Sequence, residues 1–273
     1  MKVALLDMYE GVENEGMRCI RELLIQFAET EQIPLQLNEF EVRRQRQVPD
    51  LSYDVYISSG GPGSPVDSAG SAWEQAYFRW LDGVLEWNAG PNPRKKYVFL
   101  ICHSFQVVCR YYELGQVCRR KSAAFGVFPV HKTAGGLEEP LFGGLPDPFH
   151  IVDSRNWQVV QPNEARLAAM GASILAIEKE RPHVPLERAT MAIRFNPYMI
   201  GTQFHPEADA PGMRKHLLLP AKKQRVVAEH GAEKYDSMLE LLREPDKIPL
   251  THDTLLPNFL HDALLHQREY QYT

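Results

Sequence analysis

Residues 97–106 read Tyr97-Val98-Phe99-Leu100-Ile101-Cys102-His103-Ser104-Phe105-Gln106. The unbroken apolar run predicts a strand over Tyr97–Ile101 that is buried on both faces. A helix from Ser104 to about Leu114 follows directly. Cys102 then falls at a strand-to-helix turn, where a sharp bend lifts a side chain above the sheet. The helix N-terminus behind it favours a thiolate, and backbone N–H groups there can hold a developing oxyanion. The alternative for Cys102 is a buried small hydrophobe, the usual role of a free cysteine. Cys19 and Cys109, inside helices, and Cys118, in a connector, read that way.

Working outward, Val3–Met8, Leu35–Phe40 and Val55–Ser58 read as further strands. Asn14–Thr30 and Ala72–Trp87 read as the helices between them. This alternation predicts an α/β fold with a mainly parallel central sheet and helices on both faces. Sites in such sheets form beyond the carboxyl ends of the strands. Two features sit there: Cys102, and the loop Gly60-Gly61-Pro62-Gly63 that stops the third strand. Later strands are predicted at Ser173–Glu178, Thr190–Phe195 and Met199–Phe204, with hairpins among them.

The last of these strands runs into Gly201-Thr202-Gln203-Phe204-His205-Pro206-Glu207. A cysteine nucleophile needs a base, and the base needs an orienting acceptor. His205 and Glu207 supply both from one short turn. A lone histidine is more often structural. Here it occurs together with the elbow cysteine and the glycine loop.

The chain has 273 residues, 44% hydrophobic and 24% charged, with a formal net charge of -5. That composition supports a large core, and the charge favours neither nucleic acid nor an anionic membrane surface. The apolar run at the N-terminus is too short for a signal peptide, and no stretch approaches a membrane span. The four cysteines lack zinc spacing, so free thiols in a cytoplasmic protein are expected. Residues 1–212 read as one domain and 213–273 as a helical extension. Within the extension Tyr235–Arg243 and Leu255–Leu265 are helical. Leu255, Leu256, Phe259, Leu260, Leu264 and Leu265 form an apolar stripe that should pack on the core or on a second subunit, which leaves a homo-oligomer open. The basic clusters at 213–216 and 222–225 read as solvated helix faces.

Three blocks carry a resemblance: Ser58-Ser59-Gly60-Gly61-Pro62-Gly63-Ser64-Pro65, then Phe99–Gln106, then Gln203-Phe204-His205-Pro206-Glu207. On them the chain resembles the class I, triad-type glutamine amidotransferase family, as a stand-alone domain similar to the glutaminase domain of GMP synthase. The resemblance implies a flavodoxin-like fold and a Cys102–His205–Glu207 triad that needs no cofactor and no metal. Cys102 would attack the γ-amide of glutamine, with a γ-glutamyl thioester as intermediate. The backbone N–H groups of Gly61 and His103 would form the oxyanion hole. Gly60, Gln106, Ser154 and Trp157 would contact the substrate. The ammonia would pass to a separate synthetase partner, since the chain has no G-x-x-x-x-G-K-[ST] loop of its own. The family elbow is G-x-C-x-G-x-Q, and this chain has Leu100 and Ser104 at the two glycine positions, which predicts a slow enzyme when free. His103 reads as a partly exposed turn residue.

Other functions fit the same residues. A γ-glutamyl hydrolase would use the same thioester with a different leaving group. The elbow, Phe125-Gly126-Val127-Phe128 and Asp153-Ser154-Arg155 also resemble the homoserine O-acyltransferase family. A degenerate, non-catalytic binding protein would keep the fold and lose the chemistry.

Overall fold

The computed structural model describes residues 1–12, 14–181 and 187–269; the end of the C-terminal extension, 270–273, lies outside the described residues. The chain begins β1 (Lys2–Asp7), α1 (Glu15–Thr30), β2 (Gln36–Glu41), β3 (Val55–Ser58), α2 (Ala72–Ala89), β4 (Tyr97–Ile101) and α3 (His103–Tyr111). It continues through β5 (Gln116–Lys132), α4 (Ala134–Glu138), β6 (Phe149–Val160), α5 (Glu164–Met170), β7 (Ser173–Glu178), β8 (Thr190–Asn196) and β9 (Met199–Thr202). It closes with α6 (Ala210–Leu217), α7 (Pro220–His230), α8 (Ala232–Leu241) and α9 (Ile248–Glu269). No helix among the described residues is long and apolar enough to cross a membrane.

The helices start where capping chemistry permits. The Asn14 side chain accepts from the Met17 N–H at 2.9 Å and so satisfies a donor that α1 itself cannot pair. The Ser71 hydroxyl does the same for α2 through the Glu74 N–H.

The strands form one sheet in the order β2-β1-β3-β4-β9-β8-β7-β5-β6. From β2 to β9 the neighbours pair in parallel; from β9 to β6 every pairing is antiparallel. The expectation of a mainly parallel sheet is therefore corrected: half of it is antiparallel. The reason is a long arm of β5 and β6, which pair from Gln116↔Val160 to Val130↔Phe149 with a register break between Arg119 and Ala124. Cys118 lies on this arm rather than in a connector.

Strand alternation divides the core in two. Val3, Leu5, Val55, Ile57, Phe99 and Ile101 point to a layer shared with α1 and α9. Ala4, Leu6, Tyr56, Val98 and Leu100 point to the opposite layer, shared with α2 and α3. A third cluster packs α6, α7 and α8 onto Val127 and Val152 of the arm. The apolar stripe of α9 is buried in its own chain's core through Leu255, Leu256, Phe259, Leu260 and Leu264. Leu265, expected in that stripe, instead faces outward with 47% of its surface exposed.

Phe259 is fully buried, with its ring edge-on to Phe99 of β4 at 5.2 Å between centroids. Phe259→Ala should lower the stability of the chain by about 3–5 kcal/mol. Urea unfolding followed by circular dichroism measures this; an unchanged midpoint would show that α9 is not part of the cooperative core.

Candidate active site

Cys102 links β4 to α3 with φ 49° and ψ −95°, a backbone conformation that L-residues rarely adopt. Hydrogen bonds on both sides hold it there. Its N–H donates to the Thr202 carbonyl at 2.7 Å, and its carbonyl accepts the Gln106 N–H at 3.0 Å. The turn leaves the thiol between two loops: Sγ lies 4.0 Å from the Ser154 carbonyl and 3.9 Å from Gln203 Nε2.

The two missing elbow glycines have structural replacements. Ser104 is fully buried, and its hydroxyl donates to the Ser59 carbonyl at 2.6 Å. Because that proton is committed, the 2.7 Å contact with Ser58 Oγ is a bond in which Ser58 donates; Ser58 in turn accepts from the Tyr77 hydroxyl at 3.0 Å. Ser59 Oγ accepts from the Met8 N–H at 3.0 Å and donates to the Gly60 carbonyl at 2.9 Å. These hydroxyls join the cysteine elbow, the glycine loop and the end of β1. At the other position Leu100 pairs with Gly201 of β9. A Cβ at Gly201 would come within 2.9 Å of the Phe105 ring and 3.1 Å of Leu100 Cβ. The open space the motif finds in its own first glycine is provided here across the strand pair.

His205 follows β9 and is fixed to the arm by an isolated bridge, its N–H donating to the Val152 carbonyl at 3.0 Å. Its Nδ1 is 2.8 Å from Glu207 Oε1, and its ring and Cys102 line the same cavity. Burial alone would push the imidazole down. The Glu207 and Cys102 charges beside it, with the hydrogen bond to Glu207, outweigh burial and hold it well above its ordinary value. Glu207 is 1% exposed, and its Oε2 has no hydrogen-bond partner among the described residues. Gly60 packs directly against this group: a Cβ there would meet His205 Cε1 at 2.8 Å and the Tyr9 hydroxyl at 3.0 Å. Tyr9 is thus a neighbour of the site that the sequence reading missed. Burial first, then the Glu207 and Cys102 charges, raise its phenol well above the usual value, so it remains a protonated donor. Its position just past the end of β1 was the available signal.

The thiol opens into a cavity of about 840 Å³. Among the expected site residues Gly61, Cys102, Gln106, Ser154, Trp157, His205 and Glu207 line it. Gln106 is also a strut, its Nε2 donating to the Trp157 carbonyl at 3.3 Å and to Gln203 Oε1 at 3.2 Å. Gly60 and His103 are buried behind the wall. His103, expected to be partly exposed, is 1% exposed with Nε2 unpartnered among the described residues. Burial, then the charges of Arg43 and Arg110, push it down to about 3. Arg43 is the second residue missed: its Nη1 donates to the Pro62 carbonyl at 2.6 Å and to the Met8 carbonyl at 3.2 Å, bracing the glycine loop. Gly61 is required there, because a Cβ would strike the Met8 carbonyl. Cys19 also lines the cavity, but burial pushes its thiol up to about 12.

The family model described as "Glutamine amidotransferase class-I" matches residues 4–220. Among solved structures the chain is similar to a glutamine amidotransferase from Thermotoga maritima, at 15% identity and TM-score 0.67, covering 96% of this chain and 97% of that one. It is similar to a putative GMP synthase subunit from Thermoplasma acidophilum, at 16% identity and TM-score 0.57, covering 100% and 98%. It is similar also to the glutaminase domain of a Trypanosoma brucei CTPS, at 13% identity and TM-score 0.57, covering 97% and 94%. A search of curated proteins finds no match to the sequence.

Two consequences can be measured. Ser104→Ala removes the central hydroxyl of the chain that ties elbow to loop and should cost about 1–3 kcal/mol in denaturant unfolding, because Ser58 loses its acceptor and the Ser59 carbonyl its donor. His103 is lowered in the folded state relative to an unfolded value near 6.5. Above about pH 6.5 it is neutral in both states and has no effect; as pH falls below that, the unfolded chain takes up the proton first and stability drops by about 1.4 kcal/mol per unit, down to a pH near 3. His103→Asn should therefore lose less stability than wild type between pH 6.5 and 4.5. Parallel unfolding curves for the two proteins across that window would contradict the assignment.

Proposed function

The chain belongs to the class-I glutamine amidotransferase family, and on that premise we propose that it hydrolyses the γ-amide of glutamine, or a closely related γ-glutamyl bond, with Cys102 as nucleophile. One observation carries the reading: a cysteine held at positive φ on a strand–helix elbow shares a cavity wall with a histidine whose Nδ1 meets a buried carboxylate. Those are the parts that thiol acyl transfer requires.

In this mechanism Sγ attacks the amide carbon and the carbonyl π electrons move onto oxygen. The N–H of Gly61 and the N–H of His103, the latter among the unpaired donors that open α3, receive the oxyanion. A protonated His205 is the charge partner of the sulfur and gives its proton to the departing nitrogen, so ammonia leaves and the γ-glutamyl thioester remains. His205, now neutral, takes a proton from water; the hydroxide adds to the thioester, and glutamate leaves with the sulfur restored. Glu207 fixes the tautomer through Nδ1 and stabilises the imidazolium. Gln106, Ser154 and Trp157, on the cavity wall, are the residues proposed to contact the γ-glutamyl portion. A synthetase that consumes the ammonia is proposed as partner by analogy with the CTPS glutaminase domain and the GMP synthase protein.

The compensated elbow favours an active isolated chain over a degenerate binder, since Ser104 and Gly201 keep the turn closed. Purified protein should release glutamate from glutamine, and a glutamine-like electrophile should label Cys102. Cys19 should remain unlabelled despite lining the same cavity, because its thiol is pushed up to about 12. Cys102→Ala should abolish turnover and labelling. Glu207→Gln should lower kcat by about 10³–10⁴ with the fold intact. Glutamate release that survives Cys102→Ala would refute the mechanism. Acyl transfer from a CoA ester to Cys102 without any γ-glutamyl reaction would replace it with the acyltransferase reading.

A further inference from the structure

A second cavity, of about 510 Å³, adjoins the catalytic one. That volume lies within the range of small-molecule sites, roughly 300–1,000 Å³. Ile151 and Asp153 of β6 line it, while Val152 and Ser154 line the catalytic cavity, so strand alternation places the two on opposite faces of the arm. Ala123 and Ala124 belong to both walls.

The charges around this cavity do not balance. Its two acids are already engaged. Asp153 accepts both bonds of Arg155 Nε at 3.0 Å. Glu178 is met by Arg120 at 2.9 Å, Arg181 at 3.2 Å and Arg155 at 3.4 Å. Burial alone would push Glu178 up, and the three guanidiniums overcome it and hold the carboxyl below its ordinary value. Three arginines thus share two carboxylates. Lys121 and Lys179 line the same cavity, and Lys234 stands at its rim: the ammoniums of Lys179 and Lys234 each lie 4.7 Å from the Phe128 ring centre. Among the described residues no carboxylate forms an ion pair with any of the three. Residues 182–186 are Pro-His-Val-Pro-Leu and contain no acid to supply one. Burial, and then mutual repulsion, lower Lys234; burial is also the largest influence on Lys179, which is lowered despite Glu178. Arg181 Nε is a buried donor with no partner among the described residues. Partly desolvated cations that outnumber the acids around a cavity are an arrangement that a bound anion would stabilise.

We propose that this second cavity binds a small phosphate-bearing anion through Lys179, Arg181 and Lys121, with Lys234 closing the rim. A diphosphate suits the site better than a monocarboxylate, because more than one ammonium group has no ion-pair partner among the described residues and Arg181 keeps an unpartnered Nε donor while its Nη2 serves Glu178 and the Glu187 carbonyl. Free pyrophosphate and the diphosphate of a nucleotide share this chemistry.

The test is isothermal titration of the full chain with inorganic pyrophosphate and, separately, with ADP, against sodium chloride at matched ionic strength. Saturable binding of either supports the site, and the tighter of the two identifies the source. Lys179→Gln combined with Lys234→Gln should weaken binding about tenfold or more. Lys222→Gln, on the wall of the catalytic cavity, should change it by less than about twofold. Circular dichroism verifies the fold of each variant. Should the double variant not fold, Lys121→Gln, with an exposed side chain, carries the same expected direction. Binding no tighter than the salt control, or equal loss in Lys222→Gln, overturns the proposal.

Discussion

The site depends on one backbone constraint, the positive φ of Cys102. A non-glycine residue in such a conformation costs on the order of 1–3 kcal/mol and persists only where its surroundings leave no alternative. Here the surroundings come from three directions. β9 takes the Cys102 N–H, α3 returns the Gln106 N–H to the Cys102 carbonyl, and Ser104 anchors the first turn of α3 to the loop after β3. Several hydrogen bonds at about 0.5–1.5 kcal/mol each suffice to offset the strain. The same bonds fix Gly60 and Gly61 beside the sulfur, so the elbow and its neighbouring loop are held as one unit.

The mixed sheet has a functional consequence. The parallel half delivers the carboxyl ends of β1, β3 and β4 to one edge, which places Tyr9, the glycine loop and Cys102 together. The antiparallel half brings His205, the proposed base. β9 is the strand where the pairing changes sense, and the chain leaving it is caught by Val152 of β6 through the His205 N–H. The arm thereby closes the far side of the catalytic cavity with Ser154 and Trp157.

Much of this was legible in the sequence where burial was two-sided. β3 and β4 run over the residues expected from their apolar runs, because a strand covered on both faces has no reason to alternate. The arm was not legible. β5 carries Arg119, Arg120 and Lys121 at a register break, and β6 interrupts its apolar residues with Asp153 and Arg155, which pair with each other and, through Arg155, with Glu178 of β7. A charged pair satisfied in three dimensions reads as a loop in one. The proposed triad residues stood out because their sequence signals are local: an elbow, and a His-Pro-Glu turn. Ser104, Tyr9 and Arg43 were not assigned roles because theirs is relational. Ser104 bonds to Ser58 across 46 positions, and Arg43 reaches Met8 across 35.

That distinction bears on how a motif should be weighed. The family elbow specifies glycine at positions where backbones crowd, and glycine there expresses a demand for space. Space can be provided from the other side of a contact. Leu100 keeps its side chain because Gly201, directly opposite, has none, and any side chain at 201 would collide with Leu100 and Phe105. Ser104 goes further, since its extra atoms fill a buried position and form the bond that glycine could not make. The departures therefore change which residue satisfies the packing condition and leave the condition itself in force. Such a pair is coupled: Leu100→Gly alone would open a cavity beside Gly201, and Gly201→Leu alone would overfill it. The two substitutions together exchange the roles and should cost less than the sum of the single changes.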